Sequence, residues 1–183
     1  MTRERNTKQK VPDRMNPQLM AGKFFRCLFR KPGRIPSEIQ IEITNRCNFN
    51  CPMCQRKGMG IKDEDMPLEI YKKILPKLTG VRRLILTGWG EPLIHPDFCE
   101  MVRIANEIHP DAGVCFTTNG FFLEGEIADR LLDAKLEQVS ISLERLPGKE
   151  KEDIPGHIPA GKILDNLENF IKKRGNDNLP RIN

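Results

Sequence analysis

The chain has 183 residues, of which 38% are hydrophobic and 30% are charged, a composition typical of one globular domain with a core. No apolar run approaches the roughly 20 residues that a membrane-spanning helix needs, and the apolar region of a signal peptide is missing from the N-terminus. Residues 1–36 carry ten Lys/Arg and two Asp/Glu, and the other residues carry twenty and twenty-three, so the net charge of +5 is the sum of +8 and −3. Nucleic-acid binding, which needs a basic stripe on the folded body, is therefore not predicted.

Residues 1–36 are predicted to be a basic N-terminal arm, and residues 37–183 to be the main domain. Within the arm, the apolar residues of segment 17–30 are spaced as in a short amphipathic helix. This helix either packs against the main domain or serves as an arm that docks on a membrane surface or a partner. The turn sequence Lys31-Pro-Gly-Arg-Ile-Pro36 marks the entrance to the main domain.

Strand and helix patterns alternate from residue 38 onward. The predicted strands are residues 38–44, 82–87, 114–118 and 138–143, with the first residues of a fifth strand at 180–183. The predicted helices are residues 67–77, 97–108, 124–134 and 161–173. This alternation predicts right-handed βαβ units and a parallel sheet. Four such units do not close a barrel, so we expect either a piece of a longer protein or a chain that needs a partner.

Three cysteines follow the first predicted strand in the segment Cys47-Asn-Phe-Asn-Cys51-Pro-Met-Cys54. Three thiolates on one short loop can hold three corners of a [4Fe–4S] cluster, which leaves the fourth iron open to an outside molecule. The alternative is a structural zinc site whose fourth ligand comes from Cys99, Cys115 or a histidine. Otherwise these two cysteines and Cys27 are interpreted as buried apolar residues or as incidental, because they lack partner spacing.

Polar or glycine-rich segments also follow the later strands. The second strand leads into Thr87-Gly-Trp-Gly-Glu-Pro92, and the third ends in Thr117-Thr-Asn-Gly120. On the fourth strand, Ser140 and Ser142 share one face, and Glu144 follows on that face by period two. Because ligands bind at the carboxyl ends of parallel strands, we expect all four clusters to converge on one mouth.

Three further features permit two interpretations each. Trp89 either belongs to the core or lines the mouth. His95 is predicted to stand at a helix entry or on the surface rather than to transfer a proton. The charged loop 149–153 is either simply exposed or part of a lid over the mouth.

The cysteine motif, the Gly88-Trp-Gly-Glu-Pro92 segment and the Thr-Thr-Asn-Gly turn together resemble the radical S-adenosylmethionine (radical SAM) superfamily over residues 36–183. They are most similar to the branch shared by molybdenum-cofactor biosynthesis enzymes and SPASM-domain peptide maturases. The resemblance implies the N-terminal portion of an enzyme, with a partial (βα)6 TIM-like barrel.

The resemblance also implies a mechanism and its cofactors, a [4Fe–4S] cluster and S-adenosylmethionine. Cys47, Cys51 and Cys54 would ligate three irons, and S-adenosylmethionine would chelate the fourth. One electron from the reduced cluster cleaves S-adenosylmethionine to a 5′-deoxyadenosyl radical, which abstracts hydrogen from a substrate. The implied partners are an electron donor such as flavodoxin or ferredoxin and a peptide substrate. Independently of the resemblance, clustered cysteines in a chain without a signal peptide predict metal binding in a reducing cytoplasm. The competing class is a non-catalytic metal-binding or interaction module that keeps the cluster loop.

The shell of S-adenosylmethionine is likewise implied by the resemblance, and no residue is assigned a catalytic role. The Gly88–Glu91 segment resembles the family segment that meets the methionine amino group. Met53 stands where the superfamily often has an aromatic residue near the adenine. The fourth strand reads Ser142-Leu-Glu-Arg145, where relatives commonly carry Ser-Leu-Asp-Gly. The implied shell comprises Met53, Gly88, Trp89, Gly90, Glu91, Thr118, Asn119, Ser142 and Glu144.

Overall fold

The computed structural model describes residues 35–143 and 159–183. Within these ranges the strands are β1 (Glu38–Gln40), β2 (Arg83–Ile85), β3 (Gly113–Thr118), β4 (Gln138–Ile141) and β5 (Arg181–Ile182). The α-helices are α1 (Leu68–Ile74), α2 (Phe98–Ile108), α3 (Gly125–Asp133) and α4 (Ala160–Arg174). The predicted alternation of strands and helices is confirmed. The predictions for residues 1–34, Glu144 and the loop 149–153 lie outside the described residues.

All five strands are parallel and pair in chain order, β1-β2-β3-β4-β5. The register places Ile39 beside Leu84, and Leu84 beside Val114. On the other side of β3, Phe116 lies beside Val139. Sequential pairing is the arrangement of a (βα) barrel, whereas a doubly wound sheet reverses its strand order. The predicted partial TIM-like barrel therefore has the expected topology.

The hydrophobic core lies between the sheet and the helices. Helix α2 places Phe98, Met101, Val102 and Ala105 on one face by helical spacing, and all four are buried. The ring of Phe98 packs edge-on against Phe116 of β3, with 4.8 Å between the ring centroids. No helix in the described ranges combines the length and the apolar character that crossing a bilayer requires.

Strands β1, β2 and β4 and helix α1 end two or more residues earlier than predicted, and β4 ends at Ile141. Strand β1 ends at Gln40 because Thr44, which was predicted to extend the strand, instead forms an antiparallel bridge with Asp65. Strand β2 ends at Ile85. Helix α1 ends at Ile74 and continues as a 3-10 turn, Leu75–Lys77. The α-helix ends here because Pro76 lacks the backbone N–H that an α-helical hydrogen bond needs.

The helix-free face of the sheet is polar. Because side chains alternate across a strand, the residues between the core positions point to the barrel interior. The side-chain amide of Gln40 donates to the carbonyl of Thr87 at 2.9 Å, and the hydroxyl of Thr87 accepts from the amide of Thr117 at 2.8 Å. Gln138 donates to the hydroxyl of Ser140 at 3.0 Å. Neutral hydrogen-bonding side chains therefore lie on this face, together with Ile85 and, at the mouth, the carboxylate of Glu42.

Charged side chains form a row at the amino ends of the strands. Arg83 contacts Glu38 at 3.4 Å and Glu137 at 3.1 Å, and Arg181 also pairs with Glu137. Burial alone would raise the pKa of Glu137, but the two arginines and the thiol of Cys115 hold it below its usual range. Burial, together with the Glu137 carboxylate, raises the pKa of Cys115 to about 11. This cysteine is buried, as predicted, at the end of the sheet opposite the mouth.

Candidate functional site

The cysteine motif forms a turn directly after the extended segment that follows β1. Cys47, Cys51 and Cys54 are all half-buried. The backbone N–H of Cys54 donates to the carbonyl of Cys51 at 3.0 Å, and the N–H of Phe49 donates to the sulfur of Cys47 at 3.4 Å. Burial raises the pKa of the Cys47 thiol, while the Phe49 N–H and Arg56 lower it. The pKa of Cys47 stays raised overall, because the Phe49 N–H and Arg56 oppose the effect of burial without cancelling it.

A clamp of three polar side chains fixes the start of this loop. The guanidinium of Arg46 binds both carboxylate oxygens of Asp65, at 2.9 and 2.6 Å. The buried hydroxyl of Thr44 donates to the same carboxylate at 2.6 Å and accepts from the N–H of Arg46 at 3.1 Å. Burial alone would raise the pKa of Asp65, but Arg46 and Thr44 hold it below its usual range. Bidentate, charge-assisted contacts of this kind restrict geometry as well as adding stability.

A second set of contacts ties the loop to residues 62–64. The side chain of Asn45 accepts from the N–H of Glu64 at 2.7 Å and donates to the carbonyl of Lys62 at 2.8 Å. Arg56 reaches back to the carbonyl of Asn45 at 3.2 Å and pairs with Asp63 at 2.8 Å. Both ends of the cysteine loop are thus held by the chain that follows it.

The glycine-rich segment after β2 lies directly against the cysteine loop. A Cβ atom on Gly90 would approach the carbonyl oxygens of Thr44 and Arg46 to 2.4 and 2.5 Å, so only glycine allows this contact. The carbonyl of Arg46 also accepts from the N–H of Glu91 at 2.7 Å. A Cβ on Gly88 would instead meet the side chain of Glu42 at 2.2 Å. The glycine-rich segment therefore packs against the backbone directly before Cys47.

Glu91 joins the β2 segment to the end of β3. Its carboxylate is 2% exposed and accepts from the hydroxyl of Thr118 at 2.6 Å, the N–H of Asn119 at 2.7 Å and the N–H of Leu93 at 3.1 Å. Burial raises the pKa of Glu91, and these three donors act against that rise. Because both carboxylate oxygens are used inside the protein, Glu91 holds two neighbouring loops together.

The remaining predicted shell residues surround this junction. Trp89 is 44% exposed, so it belongs to the surface of the mouth and not to the core. Met53 is 56% exposed on the cysteine loop. Ser142 is exposed just beyond β4, and its N–H donates to the carbonyl of Thr118 at 2.8 Å. Glu144 lies outside the described residues.

His95 lies at a helix entry, as predicted. Its Nδ1 accepts from the N–H of Asp97 at 3.0 Å, directly before α2, and its Nε2 lies 3.0 Å from the carbonyl of Met66. Since Nδ1 must accept, Nε2 carries the proton and donates to that carbonyl. Both ring nitrogens therefore serve structural hydrogen bonds.

The donor set, three half-buried cysteine thiols on one loop, fits an iron–sulfur cluster with one open iron. Within residues 35–143 and 159–183, no three His, Cys, Asp or Glu side chains converge closely enough to bind one ion. In a cubane cluster each cysteine binds a different iron, so the three thiols stand further apart than the ligands of one zinc ion. Of the predicted alternative ligands, Cys115 faces Glu137 at the opposite end of the sheet. The predicted zinc site thus gains no support from the described residues.

Sequence patterns did not indicate three residues of this site. These residues are Glu42, Arg46 and Asp65. Glu42 accepts from the N–H of Trp89 at 2.6 Å, and Arg46 and Asp65 form the ion pair at the start of the cysteine loop. Period two from Gln40 would have placed Glu42 on the interior face at the mouth. Nothing in the local pattern pairs Arg46 with a carboxylate nineteen residues away.

Comparisons with known proteins agree with this geometry. The model of the radical SAM superfamily matches residues 41–180. The chain is 31% identical over 139 residues to a tungsten-containing aldehyde ferredoxin oxidoreductase cofactor-modifying protein of Pyrococcus furiosus, covering 74% of this chain and 38% of that protein. It is 34% identical over 147 residues to a GTP 3′,8-cyclase of Campylobacter curvus, covering 77% and 45%. The chain thus spans less than half the length of either relative.

Solved structures show the same fold. Streptococcus suis SuiB bound to precursor peptide SuiA matches with a TM-score of 0.62 and 18% identity, covering 93% of this chain and 39% of that one. The structure of anSMEcpe with bound AdoMet matches with a TM-score of 0.59 and 17% identity, covering 79% and 42%. These likenesses confirm the partial TIM-like barrel. The chain belongs to the radical SAM superfamily, a family of enzymes that use a [4Fe–4S] cluster and S-adenosylmethionine.

Proposed function

We propose that the chain is the cluster-binding part of a radical SAM enzyme, with Cys47, Cys51 and Cys54 as the ligands of three irons. One observation carries the proposal: the glycine segment is seated on the backbone of the cysteine loop, with Gly90 in a contact that no side chain fits. A second loop is therefore held immediately beside the three thiols, where a molecule on the open fourth iron needs partners. When bound, the reduced cluster supplies the electron that cleaves S-adenosylmethionine.

The residues around the cysteine loop are proposed to bind S-adenosylmethionine. The segment from Gly88 to Gly90 presents backbone groups, and Trp89 and Met53 present exposed apolar surface for the adenosine part. Glu91 orients this segment, because its carboxylate is occupied by donors from both loops. The rest of the proposed shell is formed by Thr118, Asn119, Ser142 and Glu144.

The barrel interior is proposed to receive a polar substrate. Gln40, Thr117 and Ser140 line it with neutral hydrogen-bonding groups, which suits the amide groups of a peptide. The fold likeness to SuiB bound to precursor peptide SuiA supports a peptide as the leading substrate class. An electron donor such as flavodoxin or ferredoxin, acting in the cytoplasm, completes the proposal.

Anaerobic reconstitution of the full chain with iron and sulfide tests this function. We expect a brown protein whose cluster EPR signal changes when S-adenosylmethionine is added, and 5′-deoxyadenosine after reduction. Alanine at Cys47, Cys51 or Cys54 should abolish the cluster. Alanine at Cys99, which is half-buried on α2, serves as the matched control and should retain it.

Two results would contradict the proposal. A colourless protein that binds zinc instead of iron would reject the cluster. A stable cluster that neither responds to S-adenosylmethionine nor yields 5′-deoxyadenosine would favour the non-catalytic module for this chain.

A further inference from the structure

The side chain of Asn119 lies between the end of β3 and the first cysteine. Its amide nitrogen donates to the side-chain oxygen of Asn48 at 2.8 Å and lies 4.0 Å from the sulfur of Cys47. Two nitrogen donors thus face the sulfur of Cys47. They are the side-chain amide of Asn119 and the backbone N–H of Phe49, which lies at 3.4 Å.

The orientation of this amide is determined by its surroundings. The side-chain oxygen of Asn119 accepts from the N–H of Phe121 at 3.0 Å. A backbone N–H can only donate, so the oxygen must face Phe121 and the NH2 group must face Cys47. The backbone N–H of Asn119 is in turn held by the buried carboxylate of Glu91 at 2.7 Å. A side-chain rotation that withdraws the amide from the sulfur would break its hydrogen bonds with Phe121 and Asn48.

An N–H group directed at a ligand sulfur stabilises negative charge on that sulfur. A reduced cluster carries one more electron than an oxidised one, so such a donor favours reduction and raises the reduction potential. Asn119 can therefore act on the cluster without touching the reacting molecule.

We propose that Asn119 is a positioning residue for the cluster, whose amide donates to the sulfur of Cys47 and raises the reduction potential of the bound cluster. The inference rests on the proposed function, since it requires that Cys47 be a cluster ligand. It assigns to Asn119 a role towards the iron–sulfur group, separate from contact with S-adenosylmethionine.

The test is an EPR-monitored redox titration of the reconstituted full chain without S-adenosylmethionine. Asn119→Ala removes the donor, and Asn119→Asp removes it while keeping an oxygen for the N–H of Phe121. We expect both variants to keep the iron content of the wild type. We expect each to lower the midpoint potential by about 59 mV, a tenfold change in the one-electron equilibrium.

Asn48→Asp is the matched control for charge. It places a carboxylate next to Cys47 and keeps an oxygen that can accept from Asn119. Because Asn48 is exposed, solvent and salt screen the added charge, and we expect less than a threefold change in the same equilibrium.

The outcomes separate this inference from the proposed function. If the wild type assembles no cluster, the proposed function fails. An assembled cluster whose potential is unchanged in Asn119→Ala overturns only the role of Asn119. The same holds if Asn48→Asp shifts the potential as far as Asn119→Asp, or if both Asn119 variants lose the cluster, which would make the residue purely structural.

Discussion

Replacing Gly90 with alanine should separate the glycine segment from the cysteine loop. The added Cβ would lie 2.4 Å from the carbonyl oxygen of Thr44 and 2.5 Å from that of Arg46. Both obstacles are backbone atoms, so no side-chain rotation can relieve the contact. The two segments must move apart until the carbon–oxygen distances reach ordinary contact, which also stretches the hydrogen bond from the N–H of Glu91 to Arg46.

The expected cost follows from these two effects. Overpacking a well-packed site costs about 1–3 kcal/mol, and weakening one hydrogen bond costs roughly 0.5–1.5 kcal/mol. Gly90→Ala should therefore lower the free energy of unfolding by about 2–4 kcal/mol. For a chain of this size the melting temperature should fall by roughly 4–16 °C. Because the displaced backbone carries Cys47, the variant should also retain less iron after reconstitution.

Chemical denaturation and iron content provide the assay, with one glycine control. Gly161→Ala points into open space at the start of α4 and should stabilise by up to about 1 kcal/mol. If Gly90→Ala unfolds at the same denaturant concentration as Gly161→Ala, the steric reasoning is refuted.

Three further substitutions test other contacts by denaturation. The buried hydroxyl of Tyr71 has no partner among the described residues, so Tyr71→Phe should leave stability unchanged or raise it by about 1 kcal/mol; a clear loss would reveal a partner. Asn166→Ala, which strips two loop carbonyls of their donor, should cost about 1–3 kcal/mol, and no cost would mean that water replaces the amide. The pKa of Asp65 is lowered in the folded protein. The ionised carboxylate therefore contributes fully to stability above the pKa of the unfolded state, about 3.9, and this contribution is lost as the pH falls through the pKa of the folded state. At pH 7, Asp65→Asn should thus have a lower free energy of unfolding than the wild type, and this difference should shrink below about pH 4. An equal difference at pH 7 and below pH 4 would show that the charge of Asp65 does not contribute to stability.

The order of elements was predictable because it depends on local patterns. Alternating apolar residues such as Ile39 and Ile41 indicate a strand, and the spacing of Met101, Val102 and Ala105 indicates a helix. The position of the mouth was also predictable, since the carboxyl ends of parallel strands share one edge. The half-buried cysteines and the exposed Trp89 lie at that edge.

The polar partners within the site were not predictable from local patterns. Glu91 was expected beside S-adenosylmethionine, but its carboxylate is used to hold Thr118 and Asn119. Arg46 belongs to the clamp only because Asp65 returns to the start of the loop. Such pairs join distant parts of the chain, and neither periodicity nor composition records which donor finds which acceptor.

The bridge between Thr44 and Asp65 has a consequence for how the site assembles. It closes residues 44–65 into a ring, and bringing together the ends of about 20 residues costs about 2.7 kcal/mol of chain entropy. The contacts of Thr44, Arg46 and Asp65 offset part of that cost. None of these contacts involves a cysteine thiol, so the base of the ring is held independently of the three proposed cluster ligands. A zinc finger differs, because its fold depends on the metal ligands themselves.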